Sequence, residues 1–194
     1  MSLDQKQILE NTRKIAEAAV AMEKSTGVPA EFAAAQCILE SGWLAHAPSS
    51  NPFGIKAHGR IIPGVGTPPS IQEIKTKEFF TDSEATRFKA SGKKIEADLN
   101  NGQPITQNGK KRYTVWDQFA AYPDLTAAFC DYANLLQTGH YFKPCWDRFL
   151  QHRDRDAYLK EMAHVYATDP GYYDKLKSLI TGQRLGSALT AARG

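Results

Sequence analysis

The stretch AAAQCILESGW, residues 33–43, decides the fold. Its apolar residues recur at helical spacing on two stripes, and the segment is bounded by Pro29, which suits a first helical position, and by Gly42, which suits a left-handed cap. One stripe contains Phe32, Ala35, Gln36 and Leu39, and the other contains Ala33, Cys37 and Leu44. A helix that is apolar most of the way round lies in the middle of a domain. We therefore predict a central buried helix that ends near residue 42.

Glu40 stands at the carboxyl end of this predicted helix, on the same stripe as Ala33 and Cys37. Burial disfavours a charged carboxylate, and the negative end of the helix dipole disfavours it as well. Both effects predict a raised pKa for Glu40, and an acid that is still protonated near neutral pH can protonate a glycosidic oxygen. On periodicity alone, a solvated glutamate at a helix end is the competing interpretation.

Outside this helix, the hydrophobic pattern changes along the chain. It is helical over residues 4–24, rich in Pro and Gly over the loop 45–70, and strand-like within 71–122. The strand candidates are 71–80, 93–99 and 112–122, and further helices are predicted from Asp124 to Gly139, near 154–166, and from Asp169-Pro170 to Gly182. We predict an α+β fold in which a mainly helical lobe and a small antiparallel β-lobe flank a groove, which is the layout of lysozyme-like folds.

Length and composition are those of one ordinary domain, with 194 residues, 42% hydrophobic and 23% charged. We expect residues 1–182 to form a single domain with its β-lobe at about 71–122, and residues 183–194 to form a loosely held C-terminal tail. The formal net charge of +3 is mild and suits contact with an anionic polymer.

Several classes of protein are excluded by what the sequence lacks. It has no basic stripe interleaved with aromatic residues, as nucleic-acid binders have, and no run of about 18 apolar residues that could cross a membrane. The start, Met1 to Lys6, has no apolar segment of a secretory signal, so export uses another route or a signal has been removed. Cys37 and Cys130 fall in apolar helical patterns and are interpreted as small buried residues. No Cys/His cluster has metal-ligand spacing, and we expect neither metal nor cofactor.

Three blocks follow one another between about residues 30 and 180. The first is AQCILESGWL at 35–44 with NPFGIKA at 51–57, the second is FAAYPD at 119–124, and the third is YATDPGYYDKL at 166–176. Together they resemble the bacterial glucosaminidases of glycoside hydrolase family 73, found in autolysins and in the wall-cutting domain of the flagellar rod. The chain departs from the family's pattern at Leu44, where the family has glycine, at Pro52, and over 82–111, which is longer than usual.

The resemblance implies a set of catalytic residues. The family's acid is the glutamate of the Glu-Ser-Gly-Trp motif, which is Glu40 here. The second acidic residue of the family lies in the β-lobe in a Thr-x-Glu-aromatic context, which Glu78 matches, with Glu73 and Glu96 as the competing carboxylates of that lobe. Tyr166 matches a family tyrosine of the cleft, and core packing is its alternative interpretation.

The same blocks suggest residues that contact the substrate. Trp43, Phe53 and Tyr122 can stack on sugar rings or pack in the core, and Asn51, Gly54 and Lys56 are expected to shape the loop beside the acid. The resemblance implies a monomeric peptidoglycan hydrolase that acts on glycan strands in the bacterial cell wall, the periplasm or outside the cell. It implies cleavage of the β-1,4 bond from N-acetylglucosamine to N-acetylmuramic acid. The alternatives are a lytic transglycosylase or muramidase that cuts the other alternating bond, and a non-catalytic wall-binding or assembly module.

Overall fold

Two helices that contact each other make up most of the first 41 residues, in a computed structural model that describes residues 3–194. Helix α1 (Gln5–Thr26) begins at Asp4, whose side chain accepts from the Gln7 backbone, and ends at Gly27 with a φ of 77°. Helix α2 (Ala30–Ser41) follows Pro29 and ends at Gly42, where φ is 58°. Residues 1 and 2, with which the predicted domain begins, lie outside the described residues.

Helix α2 is the central element of the fold. Nine of its twelve residues are buried, which confirms the helix predicted from its two apolar stripes. It packs against α1 on one side and against helices from the carboxyl-terminal half on the other. A loop with a short 3₁₀ turn at Pro48–Ser50 then leads to the β-lobe, as the Pro- and Gly-rich composition predicts.

The β-lobe is an antiparallel sheet built on one long pair of strands. Strand β1 (Ser70–Phe80) pairs with β6 (Lys110–Ala121) along its whole length, and β2 (Ile95–Ala97) pairs with the other edge of β6. The shorter strands are β3 (Leu99–Asn100) and β4 (Gln103–Pro104), which form a hairpin, and β5 (Thr106–Gln107), which pairs with β6. Helix α3 (Asp82–Ala90), capped by Thr81, occupies the segment that is long for the family and was not predicted.

The remaining helices close the helical lobe. They are α4 (Leu125–Thr138), α5 (Lys143–His152), α6 (Arg155–Tyr166), α7 (Tyr172–Thr181) and α8 (Gln183–Arg193). Three of these match predicted helices, with Asp124 as the N-cap of α4. Helix α5 was not predicted. Asp169 caps the turn before α7 by accepting from the Gly171 backbone, so that helix begins later than the Asp-Pro pair suggested.

The expectation of a loosely held tail after residue 182 is wrong. Residues 183–193 form α8, which packs along α1 and buries Leu185 and Leu189. Its last residue, Arg193, bonds to Glu23 and Glu31, which are also bonded by Arg155. Two buried leucines and a network of two arginines with two glutamates hold the segment against the body of the lobe.

The observed architecture confirms the predicted α+β, lysozyme-like fold, with one hydrophobic core in the helical lobe. Cys37 and Cys130 are buried and free, as predicted, and so is Cys145. None of the helices within residues 3–194 combines the length and the hydropathy that a membrane crossing requires.

Candidate active site

Glu40 lies in the last turn of α2 at the mouth of a cleft between the two lobes. The Tyr172 hydroxyl donates a hydrogen bond of 2.8 Å to its Oε1, and Gln36, one helical turn earlier and fully buried, donates to the Tyr172 oxygen at 3.1 Å. The chain Gln36–Tyr172–Glu40 therefore fixes one carboxylate oxygen. Oε2 forms no hydrogen bond within residues 3–194 and is free to meet a substrate.

The expectation that Glu40 is buried is wrong. The helix that carries it is buried, but the side chain extends past the helix end and is exposed. The carboxyl group thus reaches the cleft from a rigid base.

The two tyrosines beside Glu40 remain protonated at neutral pH. Burial raises the pKa of Tyr172 and, despite the opposing hydrogen bond from Gln36, the neighbouring Glu40 carboxylate raises it further. Burial and the charge of Glu40 also raise the pKa of Tyr166. The two rings stack with centroids 5.8 Å apart, so Tyr166 extends the wall that begins at Glu40.

The cleft at Glu40 is a cavity of about 230 Å³ between α2, the loop after it and the sheet. Its lining consists of Glu40, His46, Pro48, Asn51, Pro52, Phe53, Gly54, Ile74, Thr76 and Phe119. Ile74 and Thr76 are two residues apart on β1, so their side chains share one face of the strand, and that face is the wall opposite Glu40.

Glu78 continues the same row of β1, two residues beyond Thr76. It is half-buried and accepts a hydrogen bond from the Thr76 hydroxyl at 3.3 Å. Glu73 has the opposite parity on β1. Glu96 pairs with Thr114, which also pairs with Lys77, so Glu96 lies on the outer face as well. Of the three β-lobe carboxylates considered from the sequence, Glu78 is the one on the cleft face.

Asp117 is a further carboxylate on this face that sequence reasoning missed. It is buried opposite Ile74 and bonded to Lys56 at 2.6 Å and Lys93 at 2.7 Å. Burial alone would raise the pKa of Asp117, but the two ammonium groups outweigh burial and lower it. The strand parity of β6 could have indicated Asp117, and its two ion pairs show that it anchors Lys56, which lines the groove, and Lys93.

The loop Asn51–Lys56 forms the floor of the groove. The Asn51 amide donates to the Ile55 and Ala120 carbonyls and accepts from the Ile55 backbone, which locks the loop to the sheet. Phe53 stacks on Tyr132 with centroids 4.0 Å apart, and Gly54 adopts a left-handed φ of 61°. Asn51 therefore shapes this loop, and Phe53 packs largely in the core beneath both cavities. Contact of Phe53, Gly54 and Lys56 with a substrate stays a prediction.

A second cavity of about 350 Å³ adjoins the first across Phe53 and Gly54. Tyr166 lines it, together with Lys56, His58 and Arg60. The groove thus runs from Glu40 past the floor loop to Tyr166.

Trp43 and Tyr122 do not reach this groove. Trp43 lies beside Ile38 and Leu185 on the side of α2 that faces α1 and α8, and its carbonyl accepts from Asn11. Tyr122 is buried and donates its hydroxyl to Asp131 at 2.6 Å. For both aromatic residues the structure favours the interpretation of core packing over contact with a sugar.

Glu40 lines the cleft, and Glu78 lies beyond Thr76 on the strand face that forms the opposite wall, outside the residues that line the cavity. A pair of acidic residues flanking a cleft is the arrangement of glycoside hydrolases, in which one carboxyl group protonates the leaving oxygen and the other serves the attack on the anomeric carbon.

Comparison with known proteins agrees with that class. Residues 16–185 match the glucosaminidase family, described as mannosyl-glycoprotein endo-β-N-acetylglucosaminidase. This chain belongs to that family, glycoside hydrolase family 73, and is a glycoside hydrolase.

The chain is also similar to individual proteins. It is 27% identical over 197 residues to an N-acetylmuramoyl-L-alanine amidase domain-containing protein of Staphylococcus aureus, covering 94% of this chain and 25% of that protein. Among solved structures, a peptidoglycan hydrolase mutant from Sphingomonas sp. A1 gives a TM-score of 0.57 at 27% identity, over 94% of this chain and 99% of that one. The catalytic domain of the autolysin Auto from Listeria monocytogenes gives 0.62 at 21% identity, over 97% and 90%. The chain spans about a quarter of the length of the curated relative it matches.

Proposed function

We propose that this chain hydrolyses peptidoglycan at the β-1,4 bond from N-acetylglucosamine to N-acetylmuramic acid, acting on the bacterial cell wall. The observation that carries the proposal is the position of Glu40, which Tyr172 holds on one wall of the groove. The face of β1 that bears Ile74, Thr76 and Glu78 lies opposite. Family membership and the likeness to wall hydrolases support the substrate.

Glu40 acts as the general acid. Its Oε1 is occupied by the Tyr172 hydroxyl, so Oε2 carries the proton that passes to the glycosidic oxygen as the bond to the anomeric carbon breaks. The leaving sugar departs as an alcohol, and positive charge develops on the remaining ring.

Glu78 is the second catalytic group in this proposal. Its carboxylate accepts from Thr76, which orients it on the cleft face, and it activates the attacking water or stabilises the positive charge on the sugar. The anomeric configuration of the first product, measured by NMR, reports which role applies, because direct attack by water inverts that centre. Retention would assign the attack to Glu78 itself or to the acetamido group of the substrate.

Tyr166 donates a hydrogen bond to the substrate. Its phenol stays protonated because burial and Glu40 raise its pKa, and its ring lines the second cavity. The acetamido carbonyl is a suitable acceptor for a neutral hydroxyl donor.

Mass spectrometry of digested wall fragments tests the proposed bond. We expect N-acetylglucosamine at the new reducing ends. Reducing N-acetylmuramic acid would make the protein a muramidase, and 1,6-anhydromuramic ends would make it a lytic transglycosylase. Binding without any cleavage would support a non-catalytic wall-binding module.

We also propose that the catalytic unit is one domain and works as a monomer. Glu40 lines the cleft, and Glu78 shares the β1 face of the cleft residues Ile74 and Thr76 in the same chain, so the proposed site needs no second copy. Sedimentation equilibrium combined with activity at increasing dilution checks this, since a dimeric site would lose specific activity on dilution.

A further inference from the structure

The second cavity of the groove differs from the first in its charged lining. Glu40 lines the first cavity, whereas Lys56, His58 and Arg60 line the second and no carboxylate does within residues 3–194. The opposite wall is aromatic, formed by Tyr132 and Tyr166. The two cavities share Phe53 and Gly54, so a glycan bound at Glu40 places its neighbouring group here.

Apart from Glu40, which borders this cavity across Phe53 and Gly54, the acidic residues that contact its cations lie beneath its surface. Asp117 bonds Lys56 and also Lys93, so one buried carboxylate is divided between two lysines. Asp131, which is fully buried, faces His58, and Arg60 forms no salt bridge within the described part of the chain. The two lysines, Arg60 and the two aspartates together carry one net positive charge. Because the anions are buried and the cations exposed, a ligand meets the cations first.

The cationic wall is held in place by a buried cluster. The Oδ2 atom of Asp131 accepts from the Tyr122 hydroxyl and bonds Nε2 of His58, both at 2.6 Å. The other ring nitrogen of His58, Nδ1, accepts from the backbone of Arg60 at 3.2 Å. This chain of bonds connects the core of α4 to the loop that carries Arg60. The charge of Arg60 is thereby presented from an anchored backbone rather than from a free loop.

We propose that the second cavity is a subsite for a carboxylate on the side chain of muramic acid. This inference rests on the proposed function, since it needs a peptidoglycan strand in the groove. Muramic acid carries a lactyl ether, and in the wall the lactyl carbonyl is amide-linked to a stem peptide that bears its own carboxylates. The shared chemistry is a carboxylate next to the cleaved sugar. Arg60 binds it by a charge-assisted hydrogen bond, and Lys56, which is paired with Asp117, adds positive charge beside it.

Binding measurements with inactive protein test this without relying on catalysis. The protein used is the Glu40→Gln variant, and calorimetry measures its affinity for two kinds of soluble glycan strand. One kind carries stem peptides, and the other is stripped of them so that the lactyl carboxylate is free. Each kind is measured before and after its carboxylates are converted to amides. We expect native strands to bind roughly tenfold more tightly than their amidated forms, the effect of one charge-assisted bond. Addition of Arg60→Gln is expected to bring that ratio close to one, while Arg60→Lys keeps most of it.

Arg87→Gln is the matched control, because Arg87 is an exposed cation on α3 and does not line either cavity. If native strands with stem peptides bind more tightly than their amidated form, the carboxylate belongs to the stem peptide. If only the stripped strands bind more tightly than their amidated form, it belongs to the lactyl group. Equal binding of native and amidated strands would overturn the proposal, as would a preference that Arg60→Gln leaves intact or Arg87→Gln equally removes. The proposed function fails separately, if wild-type protein does not release N-acetylglucosamine ends.

Discussion

In the proposed active site the helical lobe and the β-lobe each contribute one carboxylate, but they place it by different means. Glu40 is positioned by α2, a continuous helix. Apart from Tyr172, the residues that set its position lie within a few residues of it in the sequence. Glu78 is positioned by strand register, with Tyr113 as its partner across the sheet. A shift of one residue in that register would turn Glu78 outward and Lys77 or Phe79 inward. The orientation of an acid at a helix end therefore depends on nearby residues, whereas the orientation of an acid on a strand depends on pairing with a distant segment.

The largest expected effect comes from replacing Glu40, the carboxylate of the helical lobe. Glu40→Gln should lower kcat on peptidoglycan by roughly 10³-fold, because the amide cannot deliver a proton to the glycosidic oxygen. The side chain is exposed, and the glutamine oxygen can still accept from Tyr172, so the melting temperature should change little. Release of soluble fragments from purified walls measures the activity. Unchanged lysis by a folded variant would remove Glu40 from its proposed role.

A slightly smaller effect is expected from the β-lobe half, and it tests the register directly. Glu78→Gln should lower kcat by roughly 10²-fold, since Glu78 is on the cleft face. Glu73→Gln and Glu96→Gln are matched controls on the outer face and should each leave kcat within about twofold.

A loss of activity confined to one of those controls would mean that the sheet presents its other face to the groove. Equal losses in all three would mean that the effect comes from the net charge of the lobe rather than from one carboxylate.

The contrast between the lobes also explains how far the sequence alone could predict the molecule. The helical periodicity of residues 33–43 predicts α2 and the position of Glu40, because both depend on neighbours within one or two turns. It does not predict the exposure of Glu40, which depends on how the last turn meets the cleft. The amphipathic pattern of α8 is short, with Leu185 and Leu189 one turn apart, and its stability comes from α1, far away in the sequence.

Contacts between distant segments account for the other omissions. Tyr172 bonds Glu40 across 132 residues, and its block resembles the family's at Tyr166 without indicating which tyrosine reaches the acid. Asp117 meets Lys56 only because a bridge joins the floor loop to β6 at Phe119. Trp43 and Tyr122 are aromatic residues in motifs near the site, and only packing shows that they face the core.

A third, intermediate effect concerns the one distant contact of Glu40. Tyr172→Phe removes the hydrogen bond to Oε1 and leaves the Gln36 amide without its acceptor, so kcat should fall about tenfold while KM changes less than twofold. Tyr172 acts as a positioning residue, and a loss in kcat without a change in KM distinguishes it from a residue that binds substrate. Tyr173→Phe is the matched control, because the Tyr173 hydroxyl bonds Asp156 on the exposed surface. A Tyr172→Phe variant that raises KM alone would instead place this hydroxyl against the substrate.

The smallest effect expected is a difference in acid stability carried by the β-lobe. Hydrogen bonds from Lys77 and Thr114 lower the pKa of Asp98 to about 2, well below the usual value near 3.9. A carboxyl group whose pKa is depressed by folding stabilises the folded state above its unfolded pKa, and that stabilisation is lost as the pH falls through the folded pKa. The melting temperature should therefore decline between about pH 4 and pH 2, and Asp98→Asn should lower it at pH 7 and flatten the decline. Asp124→Asn keeps an N-cap at the start of α4 and serves as the control in the helical lobe. An acid transition of the same depth in Asp98→Asn and wild type would show that the pairing of Asp98 with Lys77 and Arg112 does not hold this end of the sheet together.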